Sequence, residues 1–126
     1  MASRITRTDA EWRARLTPLQ YIVTRKGGNE RPFSARAQDG PGQYACLGCD
    51  ARLFSTTEQL DTGRGWPAFR QPLPKAPITT LTDRSWMKER TELQCDRCGA
   101  HLGYLAGDEG AGHYELNAAS LKFLPD

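Results

Sequence analysis

Two Cys-x2-Cys pairs constrain this chain more strongly than any other feature of its sequence. Cys46 and Cys49 form the first pair, and Cys95 and Cys98 form the second. The spacing allows a tight turn that aims both sulfurs at one point, and two such turns supply the four thiolates that structural zinc prefers. Iron could use the same ligands, and a single pair would leave dithiol redox chemistry open. Because the two pairs match, the sequence predicts a closed, structural Zn2+ site.

Length, charge and cysteine usage narrow the class of protein. The chain has 126 residues, which predicts one domain, residues 1–126, able to bury a core without disulfides. Its 17 basic and 15 acidic residues give a net charge of +2, so we expect no nucleic-acid partner. No apolar stretch reaches membrane-spanning length and no secretory signal is evident, so we expect a soluble, cytoplasmic protein without a membrane partner. In a cytosolic chain, four cysteines in two pairs argue against a disulfide framework.

The first part of the chain carries two helix-start signals. Residues 8–11 have the pattern of a capping box before a short helix that ends at Leu16, so residues 1–15 are expected to form a helical arm. Residues 17–20 repeat the pattern with a proline at the first helical position, and Gly27 is a suitable residue to end the second helix.

The remainder of the chain has the alternation and turn spacing of short β-strands. Residues 71–77 contain three prolines and are expected to form a surface loop. Helices followed by antiparallel strands make an α+β fold that is mainly β. The strands predicted from this pattern are residues 43–46, 51–55, 78–82, 91–95, 101–105, 112–116 and 120–124.

A resemblance to a known family covers nearly the whole chain. The matching segments are residues 16–25, 29–34, 44–46, 53–55, 61–69, 90–95, 101–103 and 113–123. In these segments the chain resembles the methionine-R-sulfoxide reductases, the SelR or MsrB family. The resemblance implies two packed antiparallel sheets (a β-tent), short N-terminal helices, and a structural zinc site far from the active site.

The resemblance also assigns roles to individual residues. Trp66 matches the tryptophan that packs on the methyl sulfoxide group of the substrate. Asn117 matches the asparagine two residues after the nucleophile. Asp108 aligns with an aspartate of the family's site, although a solvated loop acid is the simpler interpretation.

Five positions depart from the family pattern, and all of them belong to the site. The family's second histidine aligns with Tyr104, and an aromatic residue two positions later aligns with Ala106. The arginine before the family's Tyr-Cys becomes His113, and the resolving cysteine found in many members becomes Arg64. The nucleophilic cysteine itself becomes Glu115.

The loss of both cysteines bears directly on the chemistry. Sulfoxide reduction needs two electrons, which a thiolate supplies by attacking sulfur and passing through a sulfenic acid. A carboxylate has no such oxidation ladder, and the remaining thiols belong to the predicted metal site. We therefore expect no methionine sulfoxide reductase activity, and reduction through an unforeseen thiol is the alternative that we rank last.

The first alternative is an acid–base enzyme acting on a small molecule by proton transfer. Glu115 would be the general base or acid, with Asp108 nearby. Tyr104 or His113 would be its partner acid, and Asn117 would orient an oxygen of the substrate.

The second alternative, about as well supported by the sequence, is a zinc-stabilised binding module without chemistry. Its pocket would hold a small polar or cationic ligand, with Glu115 as counter-charge and Trp66 as a cation–π face. In either case we expect Trp66, Asn117 and Arg64 to contact the bound molecule. Drift after loss of function is the simplest explanation of Glu115, but drift does not favour a cluster of titratable and polar groups around an aromatic floor.

Two further residues of the resemblance lie close to the second cysteine pair. His101 matches the family's first histidine, and we interpret it as structural. Glu92 matches a glutamate near the family's pocket, although an acid on an exposed strand face explains it equally well.

Overall fold

The computed structural model describes residues 5–34, 40–84, 89–107 and 112–126. Within these residues two helices precede nine strands, and two 3-10 turns, Thr56–Glu58 and Ala118–Ser120, interrupt the β region. The helices are α1 (Asp9–Arg15) and α2 (Pro18–Lys26). The strands are β1 (Gly42–Cys46), β2 (Arg52–Ser55), β3 (Gln59–Leu60), β4 (Ala68–Phe69), β5 (Ile78–Asp83), β6 (Arg90–Cys95), β7 (His101–Ala106), β8 (His113–Leu116) and β9 (Leu121–Pro125).

Both helices begin with the predicted capping boxes. At α1 the Thr8 hydroxyl accepts from the Glu11 backbone N–H and the Glu11 carboxylate accepts from the Thr8 N–H. Thr17 and Gln20 make the same reciprocal pair at α2. The second helix ends at Gly27, whose φ of 72° lies in the left-handed region that glycine adopts without strain. Capping boxes thus set the two helix starts, and a glycine in the left-handed region sets the end of α2.

The strands form two antiparallel sheets, as the resemblance implies. One sheet has the order β2-β1-β9, and the other has the order β3-β4-β8-β7-β6-β5. Every predicted strand is present, with bounds shifted by one residue at most at either end. The sequence missed β3 and β4 because two residues are too few to show alternation. Residues 71–77 lie between β4 and β5 and form no strand, in agreement with their three prolines.

The sheets pack through aromatic side chains. Phe54 of the first sheet stacks on Phe69 of the second with ring centroids 4.6 Å apart, and Tyr44 meets Phe69 edge-on at 5.4 Å. Phe54 and Phe69 are fully buried. Offset and edge-to-face ring pairs stabilise a core beyond the area they bury. The fold is therefore α+β and mainly β, with its core between the two sheets.

No helix in the part of the chain that the structure describes combines the length and apolar character needed to cross a lipid bilayer.

Candidate functional site

The four cysteines come together as predicted. Their Sγ atoms all lie within 4.8 Å of one another, with Cys46 3.5 Å from Cys98 and Cys49 3.6 Å from Cys95. A tetrahedral Zn–S4 centre with bonds of about 2.3 Å has sulfurs about 3.8 Å apart. The spacing of the sulfurs fits such a centre. Four thiolates complete a tetrahedral coordination sphere, so the cluster is compatible with a structural zinc site that has no open position.

Each cysteine pair is built on the same backbone turn. In the first, the Asp50 N–H donates to Cys46 O at 2.8 Å, and in the second the Gly99 N–H donates to Cys95 O at 2.7 Å. Asp50 and Gly99 occupy equivalent positions with φ of 63° and 78°. Aspartate is among the residues that tolerate this left-handed region. The two knuckles are thus matched in geometry as well as in spacing.

Hydrogen bonds among the thiols prepare part of the cluster for metal binding. Hydrogen bonds from Cys46 and Cys98 lower the pKa of the Cys95 thiol, and a hydrogen bond from Cys46 lowers that of Cys49. Donation to these neighbours raises the pKa of the buried Cys46. Thiolates, not thiols, ligate metal, so a lowered pKa at Cys95 and Cys49 favours metal binding.

The N-terminal arm covers the metal knuckles. Trp12 is 3% exposed, and a Cβ added to Gly48 would lie 3.5 Å from its ring and 3.0 Å from Cys98 Sγ. The Arg25 guanidinium lies 4.3 Å from the Trp12 ring centroid and donates to Cys98 O at 2.9 Å. Gly48 therefore allows a close approach that a larger residue would block. The arm and the metal knuckles thus share packing contacts.

A second feature, an open cavity of about 800 Å³, lies beside β7 and β8. The predicted site residues that line it are Arg64, Trp66, Tyr104, Glu115 and Asn117, and Arg90 joins them. Ala106 also lines the cavity, where the family has an aromatic side chain. None of the four cysteines is among the lining residues.

Glu115 projects from a strand that is held on both sides. β8 pairs with β4 through Ala68 opposite Glu115, and with β7 through Tyr104 opposite Glu115. The side chain is 12% exposed, and its Oε2 lies 3.0 Å from Arg64 Nε and 3.4 Å from His113 Nε2. One carboxylate oxygen therefore meets both a guanidinium and an imidazole. His113 contacts Glu115 but is not among the residues that line the cavity.

The pairing between positions 64 and 115 is the main feature that the sequence did not predict. The Arg64 side chain is 58% exposed and lies between Gly63 and Gly65, whose φ values are 72° and 90°. In the resemblance, these two positions hold the resolving and nucleophilic cysteines of many family members. An ion pair thus joins the two positions that the resemblance aligns with those thiols.

Trp66 is held in place by the loop after α2. Its Nε1–H donates to the Glu30 carbonyl at 3.1 Å, while Glu30 Oε1 accepts from the Ala119 N–H at 2.8 Å. Phe33 N–H donates to Gly65 O at 2.7 Å, which ties the same loop to the turn before Trp66. Because the indole N–H is already used, the ring offers the cavity an apolar and π-electron surface.

Asn117 is committed to the scaffold. It is 2% exposed, and its Oδ1 accepts from the Glu30 N–H at 2.9 Å. Its Nδ2 donates to Asn29 Oδ1 at 3.0 Å and to Leu102 O at 3.3 Å. Both amide hydrogens are therefore engaged within the protein. The amide joins the loop after α2 to β7, which positions the rim of the cavity.

The same hydrogen-bond network holds the His101 ring between Asn29 and Glu92. Because Asn117 Nδ2 donates to Asn29 Oδ1, that oxygen is also the acceptor for His101 Nε2–H at 3.1 Å. His101 Nδ1 lies 2.6 Å from Glu92 Oε2. Both ring nitrogens therefore have a partner within hydrogen-bonding distance, which fixes the orientation of the ring. His101 is 2% exposed, in keeping with the structural role expected from the sequence.

Tyr104 lines the cavity and packs against a charged side chain. The Arg90 guanidinium lies 4.2 Å from its ring centroid, and Arg90 is paired with Asp83 at 3.1 Å. The His101 ring meets the Tyr104 ring edge-on at 5.3 Å. No role in the site was predicted for Arg90. Its only signal was its place in the matching segment 90–95. Asn29 and Glu30 had the same kind of signal in segment 29–34.

Comparison with known proteins decides the family. The model of the SelR domain matches residues 16–125. A peptide methionine sulfoxide reductase MsrB from Methylibium petroleiphilum is 44% identical over 97% of this chain and 92% of the relative. The chain belongs to the SelR family. Peptide methionine sulfoxide reductases MsrB from two other organisms are also similar. The one from Hahella chejuensis is 42% identical over 95% of this chain and 90% of the relative, and the one from Thiobacillus denitrificans is 40% identical over 99% of this chain and 98% of the relative.

Most of the predicted SelR site residues meet at one place. Glu115, Tyr104, Trp66, Asn117 and Arg64 share the cavity. His113 reaches it only through Glu115, and Asp108 lies outside the described residues. Their roles stay predictions.

Proposed function

We propose that this SelR-family protein performs no thiol-dependent reduction and that its cavity binds a small polar molecule next to Glu115. The observation that carries the proposal is the pair of charges at the cavity wall, Glu115 Oε2 against Arg64 Nε at 3.0 Å. The chain has four cysteines in all, and each of them belongs to the metal cluster. A structural zinc ion would commit all four thiolates and supply stability, not electrons.

A dithiothreitol-driven assay tests the loss of reduction. The zinc-loaded chain is incubated with a methionine-R-sulfoxide peptide, and the Methylibium relative is the parallel positive control. We expect product formation equal to the dithiothreitol blank. Glu115→Cys should restore little turnover, because Tyr104 and Ala106 have also changed. Turnover by the unaltered chain above the blank would contradict the proposal.

Ligand binding is favoured over proton transfer by the ion pair itself. The Arg64 guanidinium occupies a lone pair of Glu115 Oε2 that a general base would use. The cavity nevertheless has the properties of a ligand site, because it is concave, has an indole surface and carries a few directed polar groups. A ligand therefore binds if its interactions with the cavity are stronger than the Arg64–Glu115 interaction that it replaces.

Proton transfer is the second candidate, and one observation supports it. His113 Nε2 meets Glu115 Oε2 at 3.4 Å, and Tyr104 lies opposite Glu115 on the neighbouring strand. An imidazole, a carboxylate and a phenol are groups that exchange protons with a substrate.

The Glu115→Gln variant separates the two candidates. An acid–base enzyme would lose about 100-fold or more in turnover while still binding its substrate. A binding protein has no turnover to lose and would show only weaker affinity. A saturable reaction of the unaltered chain that Glu115→Gln abolishes would place proton transfer ahead of binding.

A further inference from the structure

The two partners of the charge pair differ sharply in exposure. The Glu115 side chain is 12% exposed on a strand held from both sides, whereas the Arg64 side chain is 58% exposed on a turn. Solvent screens the exposed Arg64 side chain, so its attraction to Glu115 is weaker than that of a fully buried pair. The carboxylate is therefore a fixed feature of the cavity, and another cation can take the place of the guanidinium that covers it.

The other arginine of the cavity is engaged differently. Arg90 lies over the Tyr104 ring at 4.2 Å and pairs with Asp83 at 3.1 Å, with its side chain 34% exposed. An anionic ligand bound between Arg64 and Arg90 would draw Arg64 away from Glu115. That would leave a largely buried carboxylate without its guanidinium, which is costly. A cationic ligand avoids this cost because it replaces one positive charge with another.

We propose that the ligand of this cavity carries a guanidinium or ammonium group, which displaces Arg64 from Glu115. Without ligand, Arg64 occupies the position of the ligand's cation beside Glu115. When ligand is present, Arg64 competes with that cation and so sets the affinity of the cavity for the ligand. The apolar stem of the ligand lies on the Trp66 ring, whose Nε1–H is already bound to Glu30 O. This inference rests on the proposed binding function and specifies the class of molecule bound.

Titration with matched probes tests the inference. n-Butylguanidinium, n-butylammonium and butyrate are added to the full chain with its zinc, and the indole N–H resonance of Trp66 is followed by NMR. We expect saturable shifts with both cations and none with butyrate. Arg64→Gln should tighten cation binding about fivefold, since a pair worth up to about 1 kcal/mol no longer competes. Arg64→Lys, which keeps a competing charge, should fall between Arg64→Gln and the unaltered chain.

Two variants serve as controls. Glu115→Gln should weaken cation binding at least tenfold. Arg52→Gln removes an exposed arginine that hydrogen bonds to Gln43 away from the cavity, and it should change nothing. Zinc content and circular dichroism confirm that each variant is folded.

The possible outcomes separate the inference from the function on which it rests. Weaker cation binding in Arg64→Gln, or tighter binding of butyrate than of either cation, overturns the displacement inference but leaves a non-redox binding site. Absence of any probe-induced shift in both the unaltered chain and Arg64→Gln also overturns it. Reductase turnover in the dithiothreitol assay would instead refute the proposed function.

Discussion

Replacement of Gly103 by alanine should destabilise the fold strongly and disturb the strand that carries Glu115. Gly103 lies opposite Leu116 where β7 pairs with β8. A Cβ at this position would lie 2.0 Å from Glu115 O, 2.9 Å from Leu116 Cα and 3.0 Å from Glu115 C. These are backbone atoms, so no rotation of a side chain can relieve the contact.

The magnitude follows from the distance that the strands must move. Ordinary contact begins at about 3.4 Å, so β7 and β8 must separate by roughly 1.4 Å near Gly103. Such a shift stretches ladder hydrogen bonds of about 2.9 Å beyond bonding distance. Two lost bonds at about 1 kcal/mol each, with overpacking of about 1–3 kcal/mol, give about 3–5 kcal/mol in total.

Thermal unfolding measured by circular dichroism is the assay. At about 4 °C per kcal/mol for a chain of this size, Gly103→Ala should lower Tm by about 12–20 °C. Gly63→Ala is the matched control, because its Cβ would meet nothing within 4 Å and only the φ of 72° opposes it. That substitution should cost about 1–2 kcal/mol. A Tm for Gly103→Ala within about 2 °C of the unaltered chain would refute the close approach of β7 and β8.

Three further changes test other parts of the structure. Asn117→Ala removes three buried hydrogen bonds and should lower the free energy of unfolding by about 2–4 kcal/mol in urea titrations; a loss below about 0.5 kcal/mol would contradict the scaffold role. Trp12→Ala should cost about 3–5 kcal/mol and speed zinc loss to a chelator, whereas Leu19→Ala, at a half-exposed position, should do neither. Lowering the pH should release one zinc per chain as the thiolates take up protons, and retention of zinc at pH 3 in a coloured-chelator assay would contradict thiolate ligation.

Local chemistry explains which parts of the fold could be predicted from the sequence. The capping residues Thr8 and Thr17 act within one helical turn, so their pattern is complete over four residues. The Cys-x2-Cys pairs are also local, and only one arrangement uses all four thiols for one metal. In each case the residues that interact are close in the chain.

The ion pair at the site depends on contacts that leave no local pattern. Arg64 reaches Glu115 because β4 pairs with β8 and places Ala68 opposite Glu115. β4 has two residues, too few for any periodicity. Asn29 likewise contacts Asn117 from a loop far away in the chain. The resemblance identified the departures at positions 64 and 115, but their contact required the arrangement of strands.

The hydrogen bonds that hold β8 between β4 and β7 are made by its backbone, and they are therefore indifferent to the side chain at position 115. The side chain at position 115 can therefore change without a change in how β8 pairs. The backbone fixes the location of that side chain in the cavity wall, whichever residue stands there. Replacement of one side chain can thus remove a reaction while the fold is kept, whereas a new reaction requires further changes in the cavity, so related proteins share a fold more reliably than an activity.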